Sequence, residues 1–269
     1  MNKDVILEVK FNTGLGDFYA CLLSMKVCYD ELISNGFSVG VRLNYENNWY
    51  ASPNQYFIIE NYFDLSQFGD DVKINYEIGN DYKLLDYVEY AFYIFIKNDL
   101  SNFSFIKDKK FYGYSVESIT KGNPYPPINI RNNSLVSNRI KQELNKIVNN
   151  FGNFKTFHFR YLDSFIPKME DIENAKKIIH NLTNENESIF ISSSSFEISK
   201  IQLDDRKVLE FNYEVENVND RIKRDLLNMC IMSFSDTIYS QSVYWSNYQT
   251  YGLIHNIKNK NHEEFIIKI

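Results

Sequence analysis

Several features that define whole classes of protein are scarce in this 269-residue chain. It has only three cysteines, Cys21, Cys28 and Cys230, too few for a disulfide framework or a cysteine-based metal cluster. No stretch approaches the run of about 18 apolar residues that a membrane-spanning helix needs. Basic residues number 29 against 35 acidic ones, and the net charge of -6 gives no support for a general nucleic-acid-binding surface.

The amino-terminal residues also lack the apolar core of a secretory signal, because Lys3 and Asp4 follow the first residues at once. Cys21 and Cys28 lie on a similar face of one predicted helix, and all three cysteines are expected to be buried free thiols of a reducing compartment. We therefore expect a cytoplasmic protein that binds no nucleic acid and has no transmembrane segment. Peripheral contact with a membrane stays open.

What the chain does have is enough apolar material for a large core, at 44% of all residues, with 20 Tyr and 21 Phe. Its length allows one large domain or two ordinary ones. The segment Asn123-Pro124-Tyr125-Pro126-Pro127 breaks regular structure and marks the approach to a linker. We predict an amino-terminal domain over residues 1–150 and a carboxyl-terminal domain over residues 151–269.

The first half begins as a strand, a glycine-bearing turn, a helix closed by Asn35-Gly36, and a second strand. The predicted bounds are Val5–Phe11 and Phe37–Leu43 for strands, Asn12–Asp17 for the turn, and Phe18–Ser34, Asp81–Lys97 and Leu135–Asn149 for helices. Residues 44–80 are expected to be loops with one strand or short helix. Gly14 and Gly16 would let an anionic ligand approach backbone N–H groups at the helix start. Tyr19 replaces the third glycine of a dinucleotide fingerprint, and the glycines are also explained if they only form the turn.

Strands and helices alternate regularly in the second half. The predicted strands are 154–159, 188–193, 207–211 and 237–240, the predicted helices are 169–182, 218–233 and 243–251, and 194–201 is a connection or short helix. This alternation favours a parallel sheet with helices on both faces. The predicted fold class is α/β, with two Rossmann-like domains facing a cleft.

Three polar stretches follow strands in this half: His158 to Asp163, the serines Ser192 to Ser195, and Asp236 to Ser242. Side chains at the carboxyl ends of parallel strands face the crevice where ligands bind. An Arg such as Arg160 presents a planar fork of donors that suits a phosphate. Each signal alone has an ordinary structural explanation, namely a packed histidine, an ion-paired arginine or a serine that caps a helix. Together they favour a nucleotide diphosphate site.

The sequence resembles the fucosyltransferases of GT-B type, the α-1,2-, α-1,6- and protein O-fucosyltransferase group. Gly14-Leu15-Gly16-Asp17 is similar to that group's glycine turn, and His158-Phe159-Arg160 to its H-x-R motif. The segment from Leu226 to Ser242 resembles its helix, Ser-x-x-Asp and Ser-x-Ser pattern, and Trp245 falls where α-1,2 members carry tryptophan.

This sequence departs from the group at three points. Tyr161 and Leu162 replace the second Arg and the Gly of H-x-R-R-G-D, the strand that ends at Ser193 lacks the acidic residue often found there, and the chain is short. These differences leave the donor and the linkage open.

The resemblance implies an inverting, metal-independent glycosyltransferase with GDP-fucose as donor substrate, a glycan acceptor, and no cofactor. The donor-binding residues it implies are Gly14, Gly16, Arg160, Ser193, Ser194, Asp236, Ser240 and Ser242. His158 would orient the donor or Arg160. Asp17 is the first candidate for the base and Asp163 the second, although a dissociative transition state needs little base assistance.

Three alternatives stay open: a GT-B transferase with another UDP- or GDP-sugar, a catalytically silent glycan- or nucleotide-binding protein, and an NAD-dependent oxidoreductase. The last is disfavoured because no acidic residue follows the second strand, where Asn44 stands after Leu43.

Overall fold

The computed structural model describes residues 2–10, 15–44, 59–88, 92–97, 135–159, 166–193, 195–210, 218–241 and 261–265. Contacts divide the chain into two compact units, one with the described residues up to Asn138 and one with those from Arg139 onward. Each unit is built on its own five-stranded sheet. The predicted division of roles between residues 1–150 and 151–269 stays a prediction.

The first unit opens as the sequence predicts, with strand, helix and parallel strand. Its elements are β1 (Val5–Lys10), α1 (Leu15–Ser34), β2 (Val39–Asn44), 3-10 turns at Ile59–Asn61 and Leu65–Phe68, β3 (Val72–Ile74), β4 (Lys83–Val88) and β5 (Phe92–Ile96). The sheet order is β3-β2-β1-β5-β4, in which β1, β2 and β3 are parallel and β5 runs antiparallel to both β1 and β4. Gly36 has a φ of +84°, which confirms the predicted glycine stop after α1.

The helix predicted over Asp81–Lys97 is wrong, because this segment contains the antiparallel strands β4 and β5. Burial alternates along β5, where Phe92, Ile94 and Ile96 are buried and the two residues between them are only half-buried. Apolar residues stand at nearly every position of this segment, so their spacing fits both the period of a helix and the period of a strand. The aromatic and β-branched content of β5 then favours the strand.

The second unit confirms the predicted alternation. Its elements are α2 (Asn138–Phe151), β6 (Lys155–Phe159), α3 (Met169–Leu182), β7 (Ser188–Ser193), α4 (Phe196–Ser199), β8 (Lys207–Leu209), α5 (Val218–Ile231), a 3-10 turn at Met232–Phe234, β9 (Thr237–Gln241) and β10 (Asn261–Phe265). The sheet order is β10-β9-β6-β7-β8, and all four pairings are parallel. The helix predicted over 243–251 lies outside the described residues.

Helices cover both faces of the second sheet. On one face Phe157 and Phe159 of β6 pack with Ala175 and Ile179 of α3 in a buried cluster. The Phe157 ring also stacks on Tyr239 with 4.7 Å between centroids. On the other face Phe190 of β7 meets Phe151 of α2. A fully buried Phe contributes about 1.5–3 kcal/mol, so these rings anchor the strands that end at the site.

Two further expectations concern the cysteines and the membrane. Cys21, Cys28 and Cys230 are buried free thiols, as predicted. Within the part of the chain that the structure describes, every helix is too short or too polar to cross a membrane.

Candidate functional site

A row of three polar side chains lies at the carboxyl ends of the central strands of the second sheet. The register pairs His158 of β6 with Ser192 of β7 on one side and with Ser240 of β9 on the other. Residues that pair between parallel strands project to the same face, so the three side chains are neighbours. They are 3%, 5% and 1% exposed, respectively.

Within this row, His158 is held through its ring. The distance from its Nδ1 to Oγ of Ser192 is 3.2 Å. Its other ring nitrogen, Nε2, is shielded from solvent. Hydroxyl groups and a neutral imidazole can each donate and accept hydrogen bonds, so the row needs no fixed charge to satisfy its members. Two of the predicted site residues, His158 and Ser240, are therefore brought together.

Two serines form hydrogen bonds at the end of β7 and the start of α4. Ser193 pairs with Phe159 and projects to the face opposite His158. Its Oγ accepts a hydrogen bond from the Ser195 N–H at 3.0 Å, and the Ser195 hydroxyl donates to Glu197 at 2.8 Å. Hydrogen bonds from its own backbone N–H and from Ser195 lower the pKa of Glu197, so the carboxylate stays ionised. Ser193 thus supports the loop backbone.

Asp236 lies at the amino-terminal end of the strands, opposite the row. It precedes β9, and its N–H donates to the carbonyl of Phe154, which precedes β6, at 2.7 Å. Ser240 stands four residues further along β9, or roughly 13 Å at 3.3 Å per residue. The sequence grouped residues 236–242 as one polar stretch, but a strand separates its two ends. The structure therefore does not bring Asp236 to the row.

The predicted glycine turn belongs to the first unit, and the helix that follows it begins earlier than expected. Helix α1 begins at Leu15, so Gly16 and Asp17 lie in its first turn instead of in the preceding loop. Backbone N–H groups of a first helical turn have no partner within the helix and suit an anion. The side chain of Asp17 is outside the described part of the structure, and its role as base stays a prediction.

The remaining predicted residues also lie outside the described residues. They are Gly14, Arg160, Asp163, Ser194, Ser242 and Trp245. Strand β6 ends at Phe159, one residue before Arg160, so the described structure leads up to the predicted phosphate clamp. The contact of Arg160 with a diphosphate stays a prediction.

Sequence reasoning missed one residue of the row, Ser192, and one half-buried acid, Asp225. Ser192 was part of the noted serine run, but the residues chosen from that run were Ser193 and Ser194. Only the register between β6 and β7 shows which serine shares a face with His158. Asp225 lies on α5 and accepts hydrogen bonds from the Arg224 guanidinium at 2.7 and 3.0 Å. Burial raises its pKa even though Arg224 and Arg221 oppose that effect.

Across the described ranges, no three His, Cys, Asp or Glu side chains lie close enough together to hold a metal ion. Metal independence stays a prediction.

Comparison with known proteins gives fold similarity without sequence similarity. No protein-family model matches the chain, and no curated protein matches it in sequence. The crystal structure of fucosyltransferase NodZ from Bradyrhizobium matches with a TM-score of 0.54 and 11% identity, over 93% of each chain. NodZ α-1,6-fucosyltransferase soaked with GDP-fucose gives a TM-score of 0.45 at 10% identity, over 93% of this chain and 91% of that one. NodZ co-crystallised with GDP gives 0.45 at 11%, over 93% and 92%.

The first of these matches covers nearly the whole of both chains, which excludes a similarity confined to one Rossmann-like unit. At this identity it concerns the fold alone. The resemblance to GT-B fucosyltransferases that the sequence motifs indicated is thus confirmed at the level of the fold.

Proposed function

We propose that the chain is an inverting glycosyltransferase that transfers fucose from GDP-fucose to a hydroxyl group of a glycan acceptor. The observation that carries the proposal is the row of His158, Ser192 and Ser240 at the carboxyl ends of a fully parallel sheet. In open α/β sheets this edge is where nucleotides bind. The whole-chain fold similarity to NodZ and the H-x-R motif support a sugar nucleotide as the ligand.

The leaving group of such a reaction is a nucleoside diphosphate, whose developing negative charge must be stabilised. Arg160 follows the end of β6 and would contact the β-phosphate with two parallel N–H donors. Ser240 is the next-to-last residue of β9, at the same end of the sheet. The hydroxyl of Ser242 and the helix start predicted after it would add donors. The positive charge of Arg160 would supply the stabilisation for which other transferases use a divalent cation.

Inversion needs one displacement, in which the acceptor hydroxyl attacks the anomeric carbon on the side opposite the diphosphate. The glycine turn at Gly14 and Gly16, with Asp17 after it, is assigned to the acceptor side. Asp17 would receive the hydroxyl proton, and Asp163 is the second candidate. If the C–O bond to the diphosphate is largely broken in the transition state, either base contributes little.

The test is Arg160→Ala. Loss of one charge-stabilising donor should lower the turnover of GDP-fucose by a factor of roughly 100 to 1000. Release of GDP in the presence of a glycan panel measures the effect. Arg139→Ala is a matched control, because Arg139 lies exposed on α2 and its loss should leave turnover unchanged. Transfer near the wild-type rate by Arg160→Ala would reject the assignment.

A second candidate is a GT-B transferase with a different donor, and the replacement of the usual Arg and Gly by Tyr161 and Leu162 favours it. Thermal-shift measurements with GDP and UDP separate the two, because a ligand at 100 times its Kd stabilises the folded state by about 2.7 kcal/mol. Selective stabilisation by UDP would replace the donor assignment. Tight GDP binding without hydrolysis or transfer would favour a catalytically silent binding protein.

A further inference from the structure

The sequence motifs leave Ser192 without a role, although the structure places it against His158. Ser192 is the next-to-last residue of β7, it is 5% exposed, and its Oγ lies 3.2 Å from Nδ1 of the imidazole. Both residues lie on strands whose register is fixed along their whole paired length. A hydroxyl buried at this distance from a ring nitrogen makes a hydrogen bond that solvent cannot replace.

We propose that Ser192 is a positioning residue for the site: its hydroxyl fixes the orientation of the His158 ring through Nδ1. A hydroxyl group can donate a hydrogen bond to an unprotonated ring nitrogen or accept one from a protonated nitrogen, so this contact can hold the ring in either tautomer. With Nδ1 held by Ser192, the direction in which the rest of the ring projects from β6 is set as well.

The consequence for Arg160 follows from the chain connection. His158 stands two residues before Arg160 in the sequence, and its ring is hydrogen-bonded to Ser192 of β7. This bond attaches the end of β6 to the neighbouring strand. Ser240 flanks His158 from β9, so the ring is enclosed on both sides. Loss of the hydrogen bond should therefore loosen the end of β6, one residue before Arg160 in the sequence. This catalytic consequence rests on the proposed function, whereas the orientation of the His158 ring does not.

The direct test is the nitrogen spectrum of the imidazole rings. The chain has only four histidines, so His158→Gln identifies the His158 signals by their loss. Ser192→Ala removes the hydrogen bond at Nδ1 and should shift the Nδ1 signal of His158, because the signal of a ring nitrogen depends on its hydrogen bond. Ser233→Ala is the matched control, because Ser233 is a buried serine of the same unit whose hydroxyl donates to the Cys230 carbonyl. An unchanged His158 spectrum in Ser192→Ala would overturn the proposal.

The functional test uses GDP affinity and kcat/KM. Ser192→Ala should lower kcat/KM by roughly 5- to 10-fold, the usual scale for one buried hydrogen bond, and Ser192→Thr, which keeps the hydroxyl, should restore most of it. Equal losses of kcat/KM in Ser192→Ala and Ser233→Ala would show a general effect of removing a buried serine. That result would count against a positioning role of Ser192. If Ser192→Ala does not fold, Ser192→Thr is measured instead. Because threonine keeps the hydroxyl, the proposal predicts that the His158 signals of this variant match those of the wild type. Failure of the wild type to bind GDP or turn over donor rejects the proposed function, while the spectrum still decides the role of Ser192.

Discussion

The two sheets bury polar side chains in different ways. In the first sheet Glu8 of β1 is 2% exposed and pairs across the strands with Arg42 of β2, while Nζ of Lys10 lies 4.0 Å from the same carboxylate. In the second sheet the buried row of His158, Ser192 and Ser240 consists of an imidazole and two uncharged hydroxyls. The buried polar side chains of the first sheet thus include a charged pair, whereas the row of the second sheet is made of hydrogen-bonding groups.

This difference shows two ways of using buried polar side chains. A buried ion pair fixes the register of its strands, because a shift by one residue would leave both charges without a partner. Hydroxyls and an imidazole can exchange donor and acceptor roles at small cost, a property that the proposed nucleotide site would use.

The largest effect is expected from breaking the ion pair. Glu8→Gln removes the charge that compensates Arg42 and should lower the free energy of unfolding of the first unit by about 3 kcal/mol. Urea unfolding followed by far-UV circular dichroism measures the change. The double variant Glu8→Met with Arg42→Met is the control, since replacing both charges is often close to neutral. A loss in the double variant as large as in the single one would assign the effect to packing instead of charge.

A smaller effect of opposite sign is expected at Asp225, a half-buried acid of the second unit. Burial raises its pKa, so the folded state favours the protonated form. Its contribution to stability is present below the unfolded-state pKa of about 3.9 and is lost as pH rises through the raised folded-state value.

Asp225→Asn cannot ionise and should therefore be more stable than the wild type at pH 7. That advantage should shrink as the pH is lowered towards 4, as measured by melting temperature across this range. A variant less stable than the wild type at pH 7 would show that the hydrogen bonds from Arg224 outweigh the cost of burying the Asp225 carboxylate. Asp225 would then be stabilised by an arginine, as Glu8 is in the first unit.

The smallest effect is expected at Thr156, on β6 two residues before His158 and on the same face. Its hydroxyl is fully buried and has no hydrogen-bond partner among the described residues. Thr156→Val replaces the hydroxyl with a methyl group of similar size and should stabilise the second unit by up to about 1 kcal/mol. Calorimetry detects the change, and Ser240→Ala is the contrasting variant. Destabilisation by Thr156→Val would mean that the hydroxyl is satisfied by a bound water and belongs to the polar row.

The helices and strands of the second unit were predictable because the spacing of their apolar residues distinguishes a helix from a strand. Helix α3 over Met169–Leu182 and strand β7 over Ser188–Ser193 match the sequence prediction at both ends. The antiparallel pair of β4 and β5 was not predictable from periodicity. Apolar residues occupy so many positions in this segment that their spacing fits a helix and a strand equally well. At the site, the pairing of His158 with Ser192 and the separation of Asp236 from Ser240 depend on strand register and strand direction. A single sequence contains neither.

The order of strands in the second sheet also determines when the row can be completed during synthesis. Strand β6 is made first and lies in the middle, β7 and β8 extend the sheet on one side, and β9 joins β6 on the other side about 80 residues later. His158 and Ser192 can therefore meet in a nascent chain that has only just left the ribosome with β6, α3 and β7. Ser240 is made last of the three, so any truncated product that ends before β9 contains His158 and Ser192 but not the complete row.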